Sequence, residues 1–330
     1  MKAKVLVSRR VFPEIADQLA GQFSVDHNSS DEILSAEQLR ARAHGCAGVL
    51  ACLTERFDAA FFDACPTVKV ISNIAVGYNN IDIAEASRRQ VMVTNTPGVL
   101  DDTTADLTFA LLMAAARRVT ETERHLRNGE WKKGFALEQW LGTDVHHASL
   151  GIIGMGRIGR TIARRASGFD MTVRYCNRSR LDADTERALN ATYCTKQEVL
   201  ATSDFVVVMV PYSAQTHHLI GAADLALMKP TAIFINTARG GVVDDVALIT
   251  ALKEKHIAGA GIDVFEGEPA LNPGFLELDN VALTPHIGSA TRATRLRMAA
   301  LAAENLSDAL NGREPKCLVN KAQLKGSAMP

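Results

Sequence analysis

The chain has 330 residues and 47% of them are apolar, enough for two cores, so two domains are expected. Its 36 basic and 37 acidic residues nearly cancel, which argues against a general nucleic-acid or membrane-surface binder, and no apolar run reaches the roughly 18 residues of a membrane span. Six scattered cysteines (Cys46, Cys52, Cys65, Cys176, Cys194 and Cys317) form neither a CxxC pair nor a zinc spacing, so reduced thiols and a cytoplasmic location are expected.

The N-terminal MKAKVLVSRR has a short apolar core without the long apolar region and cleavage site of a secretory signal, and is predicted as a first β-strand. Strands are predicted at 4–7, 48–51, 68–72 and 91–94, with helical stretches near 12–20, 35–44, 57–64 and 81–89. This βαβα order implies a parallel sheet covered on both faces. Residues 101–129 open with Asp and Thr, as a helix start does, and close at Asn128-Gly129. They predict one helix of about 25 residues, roughly 37 Å long, suited to linking domains or dimerising. A second series of strands follows at 149–154, 172–176, 204–210, 232–237, 259–264 and 281–285, with helices at about 157–168, 222–228 and 244–254. A last long helix, Thr291 to Asn311, is expected to cross back to the first domain. The adjacent pairs His146-His147 and His217-His218 point apart on any helix or strand, so no metal site is expected.

SLGIIGMGRIGR places Gly154, Gly156 and Gly159 between an apolar strand and an amphipathic helix. In that context GxGxxG is a dinucleotide turn: Gly154 for the tight bend, Gly156 for close approach of a pyrophosphate, Gly159 for helix–strand packing. Arg157 and Ile158 complete the turn, whose free N–H groups hold the anion. An NAD site carries an acid at the end of the next strand to accept from the ribose hydroxyls, whereas an arginine there accommodates a 2′-phosphate. Here Cys176 and Asn177 take the acid's place, and Arg178, Ser179 and Arg180 follow. NADP(H) is therefore expected over NAD(H), with NAD(H) as the alternative.

Three later motifs each put a polar residue just beyond a predicted strand: Arg239 in INTARGG, Glu268 in FEGEP and His286 in TPHIG. Ligands of open parallel sheets bind outside the carboxyl ends of the strands. Reducing a 2-keto acid needs a proton donor, which a histidine supplies near neutral pH. A carboxylate bonded to that histidine fixes its tautomer, and an arginine fork grips a substrate carboxylate.

With these motifs the chain resembles the D-isomer-specific 2-hydroxyacid dehydrogenases, and within them the bacterial glyoxylate/hydroxypyruvate reductase B (2-ketoaldonate reductase) group. The likeness runs nearly end to end, through NIAVGYNNID (73–82), NTPGVLDDTTADLTFALLM (95–113), SDFVVVMVPYSAQTHHLI (203–220) and PHIGSAT (285–291). It implies an α/β fold of two Rossmann-like or flavodoxin-like domains with parallel sheets and a cleft between them. Residues 1–99 and 288–330 would form the substrate domain, and 100–287 the dinucleotide domain with a dimerisation helix at 101–128. It implies Arg239 as substrate-binding arginine, His286 as acid/base with Glu268 as its partner, and the N–H groups of Val76 and Gly77 on the substrate carboxylate. Thr104, Val210, Pro211, Thr216, Thr237 and Gly288 would contact cofactor, and Asp263 would face the nicotinamide carboxamide. Many relatives carry an acid where Cys176 stands and use NAD. The segment around Trp131 and Trp140 shapes substrate access in the family, sometimes across a dimer, without fixing the pocket size here.

The expected activity is NADPH-dependent reduction of glyoxylate, hydroxypyruvate or 2-ketogluconate by a homodimer. Phosphoglycerate and formate dehydrogenases are rivals, disfavoured by the arginines. The absence of a C-terminal extension long enough for a regulatory domain also disfavours the larger phosphoglycerate enzymes. A non-enzymatic dinucleotide sensor, like the corepressors among the relatives, is the alternative outside enzymes.

Overall fold

The computed structural model describes residues 2–324. They divide into two compact units, one running to Leu100 and resuming at Thr291, the other Asp101–Ala290. The expectation that the first domain extends to 330 falls, for its last six residues, outside those described.

The first unit alternates β1 (Lys4–Val7), α1 (Pro13–Gln22), β2 (Ser24–His27), α2 (Ala36–Ala43), β3 (Gly48–Ala51), α3 (Ala59–Ala64), β4 (Val70–Asn73), α4 (Ile83–Arg88) and β5 (Met92–Thr94). All pairings are parallel, in the order β2-β1-β3-β4-β5, the flavodoxin-like arrangement. Asp58 and Asp82 accept from backbone N–H groups at the starts of α3 and α4, and Ser35 with Gln38 closes a capping box on α2, supplying the acceptors that helix N-termini lack.

The second unit carries α5 (Asp101–Ala116), α6 (Val119–Arg127), β6 (Ser149–Ile153), α7 (Arg157–Ala166), β7 (Thr172–Cys176), α8 (Ala183–Ala188), β8 (Ala191–Tyr193), α9 (Lys196–Thr202), β9 (Phe205–Val208), α10 (Ala222–Leu225), β10 (Ile233–Asn236), α11 (Asp245–Lys253), β11 (Gly259–Ile262) and β12 (Val281–Leu283). Its parallel sheet runs β12-β11-β10-β9-β6-β7-β8. The order reverses between β6 and β9, the switch point where dinucleotide folds bind. Strands β6, β9, β10 and β11 are buried throughout, as a sheet covered on both faces requires.

The chain then returns to the first unit as α12 (Arg292–Leu310) and α13 (Lys321–Leu324). Helix α12 lies so close to β3 that a Cβ at Gly48 would stand 2.8 Å from Leu306 Cδ1. The Ser72 hydroxyl donates to Ala302 O at 2.7 Å.

The predicted single helix over 101–128 is two helices. Arg118 between them is left-handed at φ 54°, and the Ala116 carbonyl accepts from Thr143 N–H at 2.8 Å. That segment approaches so closely that a Cβ at Gly142 would sit 2.5 Å from the same carbonyl. A tertiary partner thus ends α5 where local propensity would continue it. Edge strands β2 and β8, and helices α8 and α9, lie outside the predicted elements; SVDH and ATY lack an apolar run, β2 being mostly half-buried and β8 mostly exposed. All six cysteines are free, and among the described residues no helix is long and apolar enough to cross a membrane.

Candidate active site

His286 follows β12 in a left-handed conformation, φ 52°, strained for a residue with a Cβ. Its N–H holds that turn by donating to the Asp263 carbonyl at 2.9 Å and to that of Thr284 at 3.1 Å. The Asp263 carboxylate braces the same turn. One oxygen accepts from the Thr284 hydroxyl (2.6 Å) and Ile287 N–H (2.7 Å), the other from Gly288 N–H (2.9 Å). Burial pushes the Asp263 carboxyl above its usual range, against the pull of these bonds and of the His286 charge.

Glu268 meets the histidine ring. Its Oε2 lies 2.7 Å from His286 Nδ1, and its Oε1 accepts from Phe265 N–H at 2.9 Å. Burial opposes the Glu268 carboxylate, yet the bond and charge of His286, the Phe265 N–H and the charge of Arg239 together hold it below the usual carboxylate range. A hydrogen bond to Nδ1 leaves Nε2 as the ring's working nitrogen.

Arg239 stands just after β10. Burial pulls its guanidinium down, and the charges of Glu268 and Asp263 oppose that pull. Nη1 donates to Ala238 O at 2.6 Å, but Nε is buried with no partner among the described residues. Buried donors are almost always satisfied, so this one marks a place for an acceptor. The next residue fixes the loop's position: a Cβ at Gly240 would lie 1.8 Å from Phe265 O, so only glycine lets the Arg239 loop pack against the segment leading to Glu268.

The glycine turn fits a dinucleotide. Gly154 is at φ 107°, and a Cβ there would meet Met209 O at 2.4 Å and Val210 Cγ1 at 2.9 Å. A Cβ at Gly159 would strike Gly154 O at 2.3 Å, whereas Gly156, the N-cap of α7, faces open space, the room a pyrophosphate needs at a helix N-terminus. Arg157 begins α7 and pairs with Asp101 at 3.2 Å; Ile158 is half-buried behind it. At the end of β7, Cys176 accepts from Gly154 N–H at 3.0 Å through its carbonyl, and the Asn177 side chain accepts from Met155 N–H at 2.7 Å. Arg178 and Ser179 are exposed, while Arg180 is engaged by Glu186.

Thr104 is buried on α5 with its side chain near Gly288, where an added Cβ would lie 3.5 Å from Thr104 Cγ2. The hydroxyls of Thr237 and Thr108 share a 2.7 Å hydrogen bond. Thr216 closes the loop after β9, donating to Pro211 O and accepting from Ser213 N–H, both at 2.7 Å.

Val76 and Gly77 belong to the first unit. Their carbonyls accept from the side-chain amides of Asn95 (2.8 Å) and Asn73 (2.9 Å). Among the described residues neither N–H has an acceptor. Sequence reasoning missed these two asparagines, as it missed Thr284, Tyr175 and Glu186. Asn95, Thr284, Tyr175 and Glu186 act through partners 11 to 21 residues away, which spacing does not display, and Asn73 closes a local turn onto Gly77.

One geometric expectation is corrected. His217 and His218 lie in a turn, and their rings stack at 3.9 Å instead of pointing apart. Their nitrogens and a Glu266 oxygen fall within 4.8 Å of one another.

The family model for the D-isomer specific 2-hydroxyacid dehydrogenase NAD-binding domain matches residues 109–288. A glyoxylate reductase of Pyrococcus horikoshii is 48% identical over 329 residues, covering 98% of each chain. Glyoxylate/hydroxypyruvate reductase B of Klebsiella pneumoniae is 44% identical over 325 residues, covering 97% of this chain and 99% of its own. Among solved structures, an NADPH-dependent glyoxylate/hydroxypyruvate reductase of Sinorhizobium meliloti, in complex with NADP and malonate, superposes with a TM-score of 0.85 at 31% identity, covering 98% of each chain. The chain belongs to the D-isomer-specific 2-hydroxyacid dehydrogenase family and is an oxidoreductase of that kind.

Proposed function

We propose that the protein reduces small 2-keto acids, glyoxylate and hydroxypyruvate first and 2-ketogluconate as a larger candidate, to D-2-hydroxy acids with NADPH. The observation that carries this reading is the buried, unpartnered Nε of Arg239, whose charge acts on the Glu268 carboxylate that grips His286. NADPH held at the glycine turn would supply the hydride to the carbonyl carbon. His286 delivers a proton from Nε2 to the substrate carbonyl oxygen, which becomes the product hydroxyl and leaves a neutral ring. Glu268, bonded to ring Nδ1, keeps the ring oriented with Nε2 toward the substrate. Arg239 donates to the keto acid through its free edge, stabilising charge on the oxygen as it develops. The free N–H groups of Val76 and Gly77 are assigned the substrate carboxylate. Asp263 is assigned the nicotinamide carboxamide, and Thr104, Val210, Pro211, Thr216, Thr237 and Gly288 remaining cofactor contacts.

The cofactor preference rests on the end of β7, where no carboxylate side chain stands and Arg178 is exposed. The names of the relatives, glyoxylate reductases and an NADPH-dependent reductase, agree with both parts. The six free thiols suit a reducing cytoplasm. A homodimer through the 101–128 region is the assembly we expect, since α6 and the segment after it expose Val119, Leu126, Trp131, Phe135, Leu137 and Leu141. Steady-state rates for a panel of 2-keto acids with NADPH and NADH test the function. Turnover with glyoxylate or hydroxypyruvate and a preference for NADPH are expected. No cofactor oxidation with any member would favour the dinucleotide sensor instead.

A further inference from the structure

The loop after β7 is held at both ends, and Arg178 and Ser179 stand out between the two anchors. At the near end the Asn177 side chain accepts from Met155 N–H at 2.7 Å, and the Asn177 carbonyl accepts from the Tyr193 hydroxyl at 3.1 Å. At the far end Arg180 makes a two-point ion pair with Glu186, Nε to Oε1 at 2.9 Å and Nη2 to Oε2 at 2.8 Å. The same Oε1 accepts from the Tyr175 hydroxyl at 2.6 Å, and that hydroxyl accepts from Leu181 N–H at 2.8 Å. Tyr175 is fully buried on β7, and the Glu186 side chain on α8 is only 11% exposed. Strand, loop and helix thus meet on one carboxylate. Among the described residues Arg178 makes no ion pair and no side-chain hydrogen bond.

We propose that Glu186 and Tyr175 are positioning residues for cofactor specificity: they fix Arg180 as a brace, and the braced loop presents Arg178 and Ser179 to the 2′-phosphate of the cofactor. This rests on the NADP(H) reading above and reassigns Arg180 from phosphate ligand to brace.

The chemistry separates the two arginines. For Arg180, itself 65% exposed, to turn its fork to a phosphate, it would have to give up both bonds to Glu186, leaving that nearly buried carboxylate with the Tyr175 hydroxyl as its remaining side-chain donor. A phosphate approaching the intact pair would meet the Glu186 charge as well as the guanidinium. Arg180, followed by Tyr175, holds that carboxyl down to about 2, so it stays ionised at any working pH. Arg178 has no such competitor, and its charge is free for the charge-assisted bonds that arginine makes to phosphate. Ser179 beside it offers a hydroxyl.

The test measures binding of adenosine 2′,5′-bisphosphate and 5′-AMP to the full chain by calorimetry, without turnover. The wild type is expected to favour the bisphosphate. Arg178→Ala should cut that preference by about tenfold or more, the worth of a charge-assisted bond. Glu186→Gln should cut it by about threefold to tenfold with AMP affinity held within about twofold, since only the phosphate end of the site depends on the brace. If Arg180 were itself the ligand, Glu186→Gln would free it and strengthen bisphosphate binding, and that gain would overturn the proposal. So would an unchanged preference, or an equal loss for both ligands. Should Glu186→Gln not fold, the two exposed arginines decide: a larger loss in Arg178→Ala than in Arg180→Ala supports the brace, and an equal or smaller one overturns it. A wild type that binds both ligands alike would sink the NADP(H) reading itself, a result distinct from failure of the brace.

Discussion

Glu268 holds His286 from one side only: its Oε2 lies 2.7 Å from ring Nδ1, while its other oxygen is occupied by the N–H of Phe265. The carboxylate cannot swing to another partner without giving up a backbone bond, so the ring orientation is set by the 265–268 turn. His286→Ala should lower kcat for reduction by about 10²–10⁴-fold, the usual worth of a positioned acid, with NADPH binding nearly unchanged by fluorescence titration. Glu268→Gln keeps the shape but replaces the charge-assisted bond to ring Nδ1, so it should lower kcat for reduction by about tenfold or more, with NADPH binding again nearly unchanged. Wild-type kcat in Glu268→Gln, or an active His286→Ala enzyme, would mean that another group donates the proton.

The Arg239 loop depends on a missing side chain. A Cβ at Gly240 would sit 1.8 Å from Phe265 O, and a backbone carbonyl cannot give way as a flexible side chain would. Gly240→Ala should push the arginine away from the Glu268 turn and cost about 1–3 kcal/mol of stability, the range for overpacking. Its signature is a drop in kcat/KM measured well below the variant's own melting temperature. Wild-type catalysis with wild-type stability would show that the two segments are not held together by this contact.

Asp245 gives a pH dependence of stability. It is 3% exposed at the start of α11 and accepts from Glu266 N–H at 3.0 Å. Burial, with smaller contributions from the Glu266 and Asp244 charges, raises its carboxyl from 3.8 to about 6. A folded-state pKa above the unfolded value stabilises the fold below the unfolded pKa, and that stability is lost as pH rises through about 6. At pH 7 the ionised group is therefore a burden. Asp245→Asn, which can keep the bond to Glu266, should stabilise the protein at pH 7 by at most about 3 kcal/mol at about 1.4 kcal/mol per pKa unit, read as a rise in melting temperature of several degrees. The gain should shrink below pH 6 and vanish near pH 4. A gain independent of pH would assign it to packing.

Much of this molecule is legible in its sequence because its sheets are parallel and buried. Runs such as FVVV and IFIN announce central strands by composition alone, and glycines at 154, 156 and 159 announce the turn that follows β6. The placement of Arg239, Glu268 and His286 beyond the carboxyl ends of β10, β11 and β12 was legible from the strand pattern, and the fold brings Glu268 onto the His286 ring. Edge strand SVDH has no such run, and the break at Arg118 is imposed by Thr143, 25 residues away in sequence. The engagement of Arg180 by Glu186 was hidden for a related reason: a charge beside a glycine turn looks available until the chain folds a carboxylate onto it.

The end of β7 offers the sharpest change of function by one residue. In the proposed function Cys176 stands where an NAD site presents an acid, and its carbonyl is tied to the glycine turn through Gly154 N–H at 3.0 Å. A carboxylate introduced there would face the ribose, accepting from its hydroxyls and repelling a 2′-phosphate. Burial pushes the Cys176 thiol up, so the new carboxylate would be partly desolvated and its repulsion correspondingly less screened. Cys176→Asp should lower kcat/KM for NADPH relative to NADH by about a hundredfold, corresponding to roughly 2.7 kcal/mol of discrimination. Most of the change should come from weaker NADPH binding, with kcat at saturating cofactor little altered, because the reacting groups at His286 and Arg239 are untouched. A ratio that stays at the wild-type value would place the ribose elsewhere and remove the physical basis for the cofactor preference.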